Sequence, residues 1–336
     1  MAAPGSLTRR EVPAIVSVFK RNVNGAAMIG WKHYHSPSSI DEALHLLEHY
    51  HGHARIVAGG TDLILELSHG DHPPLEALVD ITRIAELGEI TLLPDDWVTI
   101  GAAVTHAQIV QSDLLARRAT CLVESCGVVG GPQVRNVGTL GGNVAHALPA
   151  ADGTVSLVSL DASAEIVEAG KRKWVHIQEM FRGPGESLLD SRRDLLVRFQ
   201  FALCGPREGT AFKRIMRPQG VALPILGCAV WVKINDGHMI HEARVCIAPL
   251  APRPIRLSQT ESALRGASVQ TSDSLAMTVD RAIEALRDEI EPRTSKYRAT
   301  AEYRRKMAEV LLRDALSLAV KRAKTGQAIP EGVGLE

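Results

Sequence analysis

Two short glycine runs are the segments of this chain whose residue types and spacing could do chemistry. The first is Val57-Ala58-Gly59-Gly60-Thr61-Asp62. The second is Thr139-Leu140-Gly141-Gly142-Asn143, about 80 positions further on. Each follows an apolar run. A phosphate is held well where consecutive backbone N–H groups converge on one hollow, and glycine permits the approach because no Cβ intervenes. Thr61 is placed to cap a following helix. A single Gly-Gly-Thr is an ordinary tight turn. Neither run fits GxGxxG or GxxxxGKS, so neither a Rossmann fingerprint nor a Walker loop is present. Two such turns in one chain suit a ligand with a central diphosphate and polar groups on both sides. A branched side chain at Gly60 or Gly142 is then expected to occupy phosphate space and abolish binding.

Other reactive residue types form no comparable pattern. His45 and His49 have a helical spacing that can bind metal, but no HExxH glutamate or acidic ligand accompanies them, and a polar helix face accounts for them. The five cysteines, Cys121, Cys126, Cys204, Cys228 and Cys246, contain no CxxC pair. That spacing excludes the usual zinc ribbon and ferredoxin patterns and fits reduced thiols in a cytoplasmic protein. Cys126 reads as a small buried residue. No metal site, catalytic triad or paired carboxylates are expected in this chain.

Elements that would position the turns can be read on either side of them. Ser39-Ile40-Asp41-Glu42 has the form of a capping box. Behind it Ala43, Leu44, Leu47 and Tyr50 share a helical face, and Gly52 ends the helix. Arg55–Ala58 reads as a strand delivering the first turn, and Leu63, Ile64 and Leu67 resume helical spacing. Val98–Ala103 reads as a second strand. Thr105 caps a helix running to about Arg117, and another helical stretch starts at Ala119. Apolar elements follow at Val155–Leu160 and Ala164–Val167, and Arg182–Gly185 reads as a loop. Cys204–Gly209 is a linker. Beyond it, Leu226–Ile234 and Met239–Ile247 flank Asn235-Asp236-Gly237-His238, a strong hairpin signal. Three helical stretches close the chain, the last with Met307, Leu311, Ala315 and Leu318 on one stripe.

The 336 residues are 45% hydrophobic and 23% charged, with Lys plus Arg equal to Asp plus Glu at 38 each. This is a globular composition of two or three domains. A zero net charge gives no argument for nucleic acid or an anionic membrane as partner. Residues 1–27 carry a short apolar run, Val12–Phe19, interrupted by Pro13 and far too short to span a bilayer. They read as a flexible extension, and Met28 is an alternative start.

The strings Val57-Ala58-Gly59-Gly60-Thr61-Asp62-Leu63, Arg135-Asn136-Val137-Gly138-Thr139-Leu140-Gly141-Gly142-Asn143 and Pro149-Ala150-Ala151-Asp152 together resemble the FAD-binding subunit of the molybdenum hydroxylases. This is the xanthine dehydrogenase and carbon monoxide dehydrogenase flavoprotein family. The resemblance runs from about Trp31 to about Leu316. It takes in Tyr34 with Pro37, Ile100-Gly101-Ala102, Phe181–Gly185, Ala211-Phe212-Lys213 and Glu302–Arg305. It implies an α+β fold, with a two-lobed FAD-binding domain of the PCMH type at 28–204 (lobes at about 28–82 and 83–204). A smaller α+β domain at 209–320 and a tail at 321–336 would follow.

The same resemblance implies that residues 57–64, including Leu63 and Ile64, embrace the FAD diphosphate together with Gly138, Thr139, Leu140, Gly141, Gly142 and Asn143. It further implies that Asp152 bonds the ribose or adenine side, that Val129 and Leu196 line the flavin pocket, and that Lys213 lies near the isoalloxazine. For Asp152 the alternative is a helix N-cap, and for Lys213 a solvated charge on a strand. The chain departs from the family at Leu148, where a polar residue is common, and at Pro218–Pro224, which lacks an acidic residue. The implied partners are a small 2Fe-2S subunit and a large molybdopterin-binding subunit, in a heterotrimer or its dimer. Electrons would pass from the clusters through FAD to a terminal acceptor. A self-contained FAD oxidase or reductase, and a structural subunit with a vestigial flavin site, are the competing readings.

Overall fold

The computed structural model describes residues 30–69, 75–217, 223–296 and 298–332. The extension assigned to 1–27, with Met28, and the greater part of the departure at Pro218–Pro224 lie outside the described residues. The chain begins with β1 (His33–His35), α1 (Ile40–His49), β2 (Ala54–Val57), α2 (Leu63–His69) and β3 (Ala77–Asp80). The strands form a parallel sheet in the order β1-β3-β2. The Ser39 hydroxyl accepts from the Glu42 amide at 3.2 Å, as the capping box requires. The Glu42 carboxylate reaches back to the Ser38 amide (2.8 Å) instead of Ser39, so the box closes one residue early. Ala43 and Leu47 bury the inner face of α1 against this sheet. The helix ends where His51 and Gly52 adopt positive φ.

A second lobe is built on the antiparallel sheet β4-β5-β10-β6-β7. Its elements are β4 (Ile90–Leu92), β5 (Trp97–Gly101), α3 (His106–Val110), α4 (Asp113–Arg118), α5 (Thr120–Gly127), α6 (Pro132–Val137), α7 (Leu140–Ala145) and α8 (Asp152–Ser159). They continue with β6 (Ser163–Glu168), β7 (Lys171–His176), β8 (Phe181–Gly183), β9 (Glu186–Ser187) and β10 (Leu195–Ala202). The single helix expected from Thr105 to Arg117 is two helices. Thr105 caps α3 with a complete capping box, but the Ser112 hydroxyl then accepts from the Leu115 amide and starts α4 afresh. The expected loop at Arg182–Gly185 is the bend of a small hairpin, in which Phe181 pairs with Ser187 and Gly183 with Glu186.

The remaining elements are β11 (Glu208–Met216), β12 (Pro224–Ile234), β13 (Ile240–Ala248), α9 (Ser258–Leu264), α10 (Ser272–Glu289) and α11 (Ala301–Thr325). β12 and β13 form the expected hairpin, closed by the Asn235 amide donating to the Met239 carbonyl at 2.9 Å. β12 is buried on both faces. Ala229 and Trp231 belong to the core that α5 and α8 share, while Cys228, Val230 and Val232 belong to the core under α11. Alternation along one strand therefore joins the two hydrophobic cores. A buried ion pair fixes the same seam. Arg322 on α11 donates to Glu124 on α5 at 2.6 Å and to the Thr210 carbonyl at 2.7 Å. Glu124 in turn accepts from the Phe212 amide at 2.7 Å and the Glu331 amide at 2.8 Å.

Among the described residues no helix is long and apolar enough to cross a membrane. None of their His, Cys, Asp and Glu side chains group to hold a metal ion. Burial pushes the Cys121 thiol up to about 11 and Cys126 higher still, which keeps both protonated and unreactive.

Candidate functional site

The end of β2 and the start of α7 converge on a cavity of about 820 Å³ between the two lobes and the C-terminal sheet. Its lining includes Val57, Ala58, Gly59, Gly60, Thr61, Asp62 and Leu63 from the first turn. Gly138, Thr139, Gly141, Gly142 and Asn143 come from the second, together with Val129, Asp152 and Leu196. The two turns abut directly. A Cβ on Gly59 would lie 2.7 Å from the Val137 carbonyl carbon and 2.8 Å from the Gly138 Cα. Glycine is thus required at 59 because backbone packs on backbone. At Gly60 it is required by conformation, with φ of 67°.

The turns differ in what they offer a ligand. In the second, the amides of Leu140 and Gly141 donate to the carbonyls of Val104 and Ala102, both at 3.0 Å. The Gly142 amide donates to the Thr139 hydroxyl, and the Asn143 amide to the Thr139 carbonyl, again both at 3.0 Å. Asn143 Oδ1 accepts from the Thr154 amide at 3.2 Å, tying α7 to α8. These amides are occupied within the fold. Among the described residues, the amides of Gly59, Gly60, Thr61 and Asp62 have no such acceptor. On this count the first turn presents four amides without an acceptor, and the second presents only that of Thr139. A Cβ at Gly142 would meet the Thr139 hydroxyl at 3.1 Å, so bulk there disturbs the cap of α7 before it reaches ligand space. The Thr61 hydroxyl donates to Asp62 Oδ2 (3.3 Å) and does not cap α2.

Three of the expected site residues lie outside the lining. Leu140 is packed into the core beneath its turn. Ile64 is 40% exposed on the outer side of α2. Lys213 sits on the opposite face of β11 from the cavity and pairs with Glu331 at 2.7 Å, as a charge on a strand would. Its neighbour Arg214 lines the cavity, because adjacent residues of a strand point to opposite faces. Asp152 is the first residue of α8, not its N-cap, and its carboxylate accepts from Arg214 at 2.6 Å. Burial pushes Asp152 up to about 6, against the opposing pull of Arg214.

Further polar residues line the cavity without having been singled out. Arg55 donates to the Ser191 hydroxyl at 3.1 Å. Glu66 on α2 meets His146, the C-cap of α7, at 2.8 Å, a bridge across the two turns. Arg298 donates to the Pro224 carbonyl at 3.2 Å. His106 opens α3 and is buried, and burial together with Arg135 pushes it down to about 4. Arg55 and Glu66 flank the first turn closely enough for position alone to have flagged them. Arg214 and Arg298 carry no local signal, because strand phase and a long-range loop bring them in.

A cavity with free backbone donors at one turn and Arg55, Arg214 and Arg298 along its walls fits a dianionic diphosphate with extended arms. Comparison with known proteins identifies the family and its cofactor. Residues 27–201 match the model of the FAD binding domain in molybdopterin dehydrogenase, and residues 210–319 that of the CO dehydrogenase flavoprotein C-terminal domain. The chain is 30% identical over 299 residues to the xanthine dehydrogenase FAD-binding subunit of Escherichia coli O157:H7, covering 88% of this chain and 98% of that one. It is 29% identical over 289 residues to the carbon monoxide dehydrogenase medium chain of Hydrogenophaga pseudoflava, covering 86% and 97%. A solved carbon monoxide dehydrogenase structure from the latter organism superposes with a TM-score of 0.78 at 28% identity, over 87% of this chain and 98% of that one. The chain belongs to the FAD-binding subunits of the molybdenum hydroxylase family, and it is an FAD-dependent oxidoreductase subunit.

Proposed function

We propose that this subunit carries electrons from the 2Fe-2S clusters of a small partner, through FAD held in the cavity, to a terminal acceptor, while a large molybdopterin-binding partner oxidises the substrate. The observation that carries the proposal is the cavity, with its free first-turn amides, in a chain whose cysteine spacing provides no cluster of its own. FAD supplies the redox chemistry when bound. The residues of this chain bind, orient and shield it. The amides of Gly59–Asp62 hold the diphosphate, Gly138–Asn143 press the first turn into place, and Val129 and Leu196 provide apolar wall. Asp152, through Arg214, sets the charge at the end of the cavity closed by residues 209–320, with 28–204 as the cofactor-binding unit.

Native affinity purification with flavin and metal analysis tests this reading. Co-purification of an iron–sulfur chain and a molybdenum-containing chain, with about one FAD per copy of this subunit, is the expected result. Substrate turnover by this chain alone, loaded with FAD, overturns it in favour of a self-contained oxidase. A protein that stays colourless after incubation with FAD overturns the cofactor assignment itself.

A further inference from the structure

We propose that the neutral imidazole of His106 is an additional ligand of the bound dinucleotide, donating a hydrogen bond from Nε2 into the cavity to an oxygen of FAD. This rests on the cavity being the cofactor site.

The position of the ring is fixed from several sides. Thr105 caps α3 through a complete capping box, which sets the helix start. The His106 amide donates to the Gly138 carbonyl at 3.0 Å, holding the residue under the second turn. Gly138 packs on the ring edge, since a Cβ at 138 would touch His106 Cδ2 at 3.4 Å. His106 is 2% exposed as a residue, yet it lines the cavity. Nδ1 is sealed inside the protein with no hydrogen-bond partner. Nδ1 is thus the closed nitrogen, and Nε2, which is not sealed in the same way, is the one left for a ligand in the cavity.

Chemistry then chooses the tautomer. Burial and the neighbouring Arg135 hold the ring neutral, so one nitrogen carries the proton. An orphaned buried N–H is rarer, and costs more, than an under-used lone pair. The proton therefore belongs on Nε2 and the lone pair on Nδ1. The ring becomes a fixed donor, and FAD brings phosphate, hydroxyl and carbonyl oxygens to the cavity. A neutral donor adds no charge, and with burial pushing the ring down to about 4 it stays neutral near pH 7.

The test uses the full chain freed of flavin, with FAD titrations and melting curves with and without FAD. His106→Leu is expected to raise the FAD Kd by about 5- to 10-fold, the effect of one neutral hydrogen bond. The flavin-free form should melt at the same or a higher temperature, because an unpartnered polar atom has been removed. His106→Gln, whose amide reaches the Nε2 position, should restore most of the affinity, and His106→Asn, which reaches only Nδ1, should not. Wild-type affinity should be flat between about pH 5.5 and 8 as far as this residue governs it. A His106→Leu protein with unchanged Kd overturns the proposal, whatever its flavin-free melting temperature. If Gly59→Ala still weakens binding in that case, the cofactor site stands and only His106 is excluded. If neither variant changes the Kd, the site itself is misplaced. Should His106→Leu fail to fold, the wild-type Nε2–H resonance decides: its failure to shift on addition of FAD also overturns the proposal.

Discussion

Replacing Gly59 by alanine adds one methyl group at the point where the two turns touch. That carbon would press into the Val137 carbonyl oxygen and lie 2.7 Å from the carbonyl carbon, at least about 0.7 Å inside the 3.4 Å at which ordinary contact begins. Neither side yields easily. The Gly138 amide is bonded to the Val134 carbonyl at 2.7 Å and its own carbonyl to the His106 amide at 3.0 Å. Overpacking a rigid contact of this kind costs about 1–3 kcal/mol. A shift of the first turn by that distance would be enough to take an amide hydrogen bond from about 2.9 Å to about 3.6 Å, beyond useful length. Losing two charge-assisted bonds of about 1.5 kcal/mol each weakens FAD binding about 100-fold. Gly60→Ala provides the contrast. Its strain is that of one residue at positive φ, about 1–2 kcal/mol, and its Cβ meets side chains alone: Ile64 at 3.2 Å, which is exposed enough to swing aside, and Val57 at 3.4 Å, an ordinary contact. Titration of flavin-free protein with FAD, followed by flavin fluorescence, should rank Gly59→Ala as the more damaging change. Wild-type affinity in Gly59→Ala, or equal damage from Gly60→Ala, would refute the packing argument.

Two further measurements probe the frame around the cavity. Glu124→Gln leaves the buried Arg322 guanidinium facing a neutral amide, so chemical denaturation should show a loss of about 3–5 kcal/mol; a loss below about 1 kcal/mol would mean that the seam is held by β12 alone. Asp152 should titrate near 6 in a carboxylate-resolved NMR experiment on the flavin-free protein. A carboxyl raised above its free value of 3.8 favours the folded state most below that pH, and this contribution is lost as pH rises through about 6. An Asp152 that titrates below 3.8 would show that Arg214 outweighs burial.

The sequence carried the fold well where local chemistry and tertiary packing agree. Asn235–His238 closes a hairpin because Asp-Gly between two apolar runs suits a tight bend. The stripe on α11 is buried, at Leu311 and Ala315, because its apolar spacing is helical. It failed where two local signals compete, as at Ser112, whose hydroxyl interrupts a helical pattern to begin α4. The site divided along the same line. Glycine turns are legible because backbone requirements restrict residue type. The state of their amides was not, since those of Leu140 and Gly141 are taken by the loop after β5, a contact made in space, and those of Gly142 and Asn143 by Thr139. Lys213 shows the same limit: the motif locates β11, and only the pleat decides that Arg214 and not Lys213 lines the cavity.

Cofactor binding and domain association are one problem in this architecture. The wall made by Arg214, Leu223, Pro224 and Arg298 comes from beyond residue 208, while the free amides come from the first lobe and the shape of the second turn from the second lobe. A small slip along any seam would therefore separate a donor from its ligand. β12 resists one such slip by giving Ala229 and Trp231 to one core and Val230 and Val232 to the other, so that neither core can move without opening the other. The Glu124–Arg322 pair adds direction to that apolar joint: its mutual hydrogen bond and those to Phe212, Glu331, Thr210 and Ile329 are satisfied together in a single register. Burying those charges is better explained by this registration than by a net gain in stability, because an apolar substitute of similar volume is often as stable.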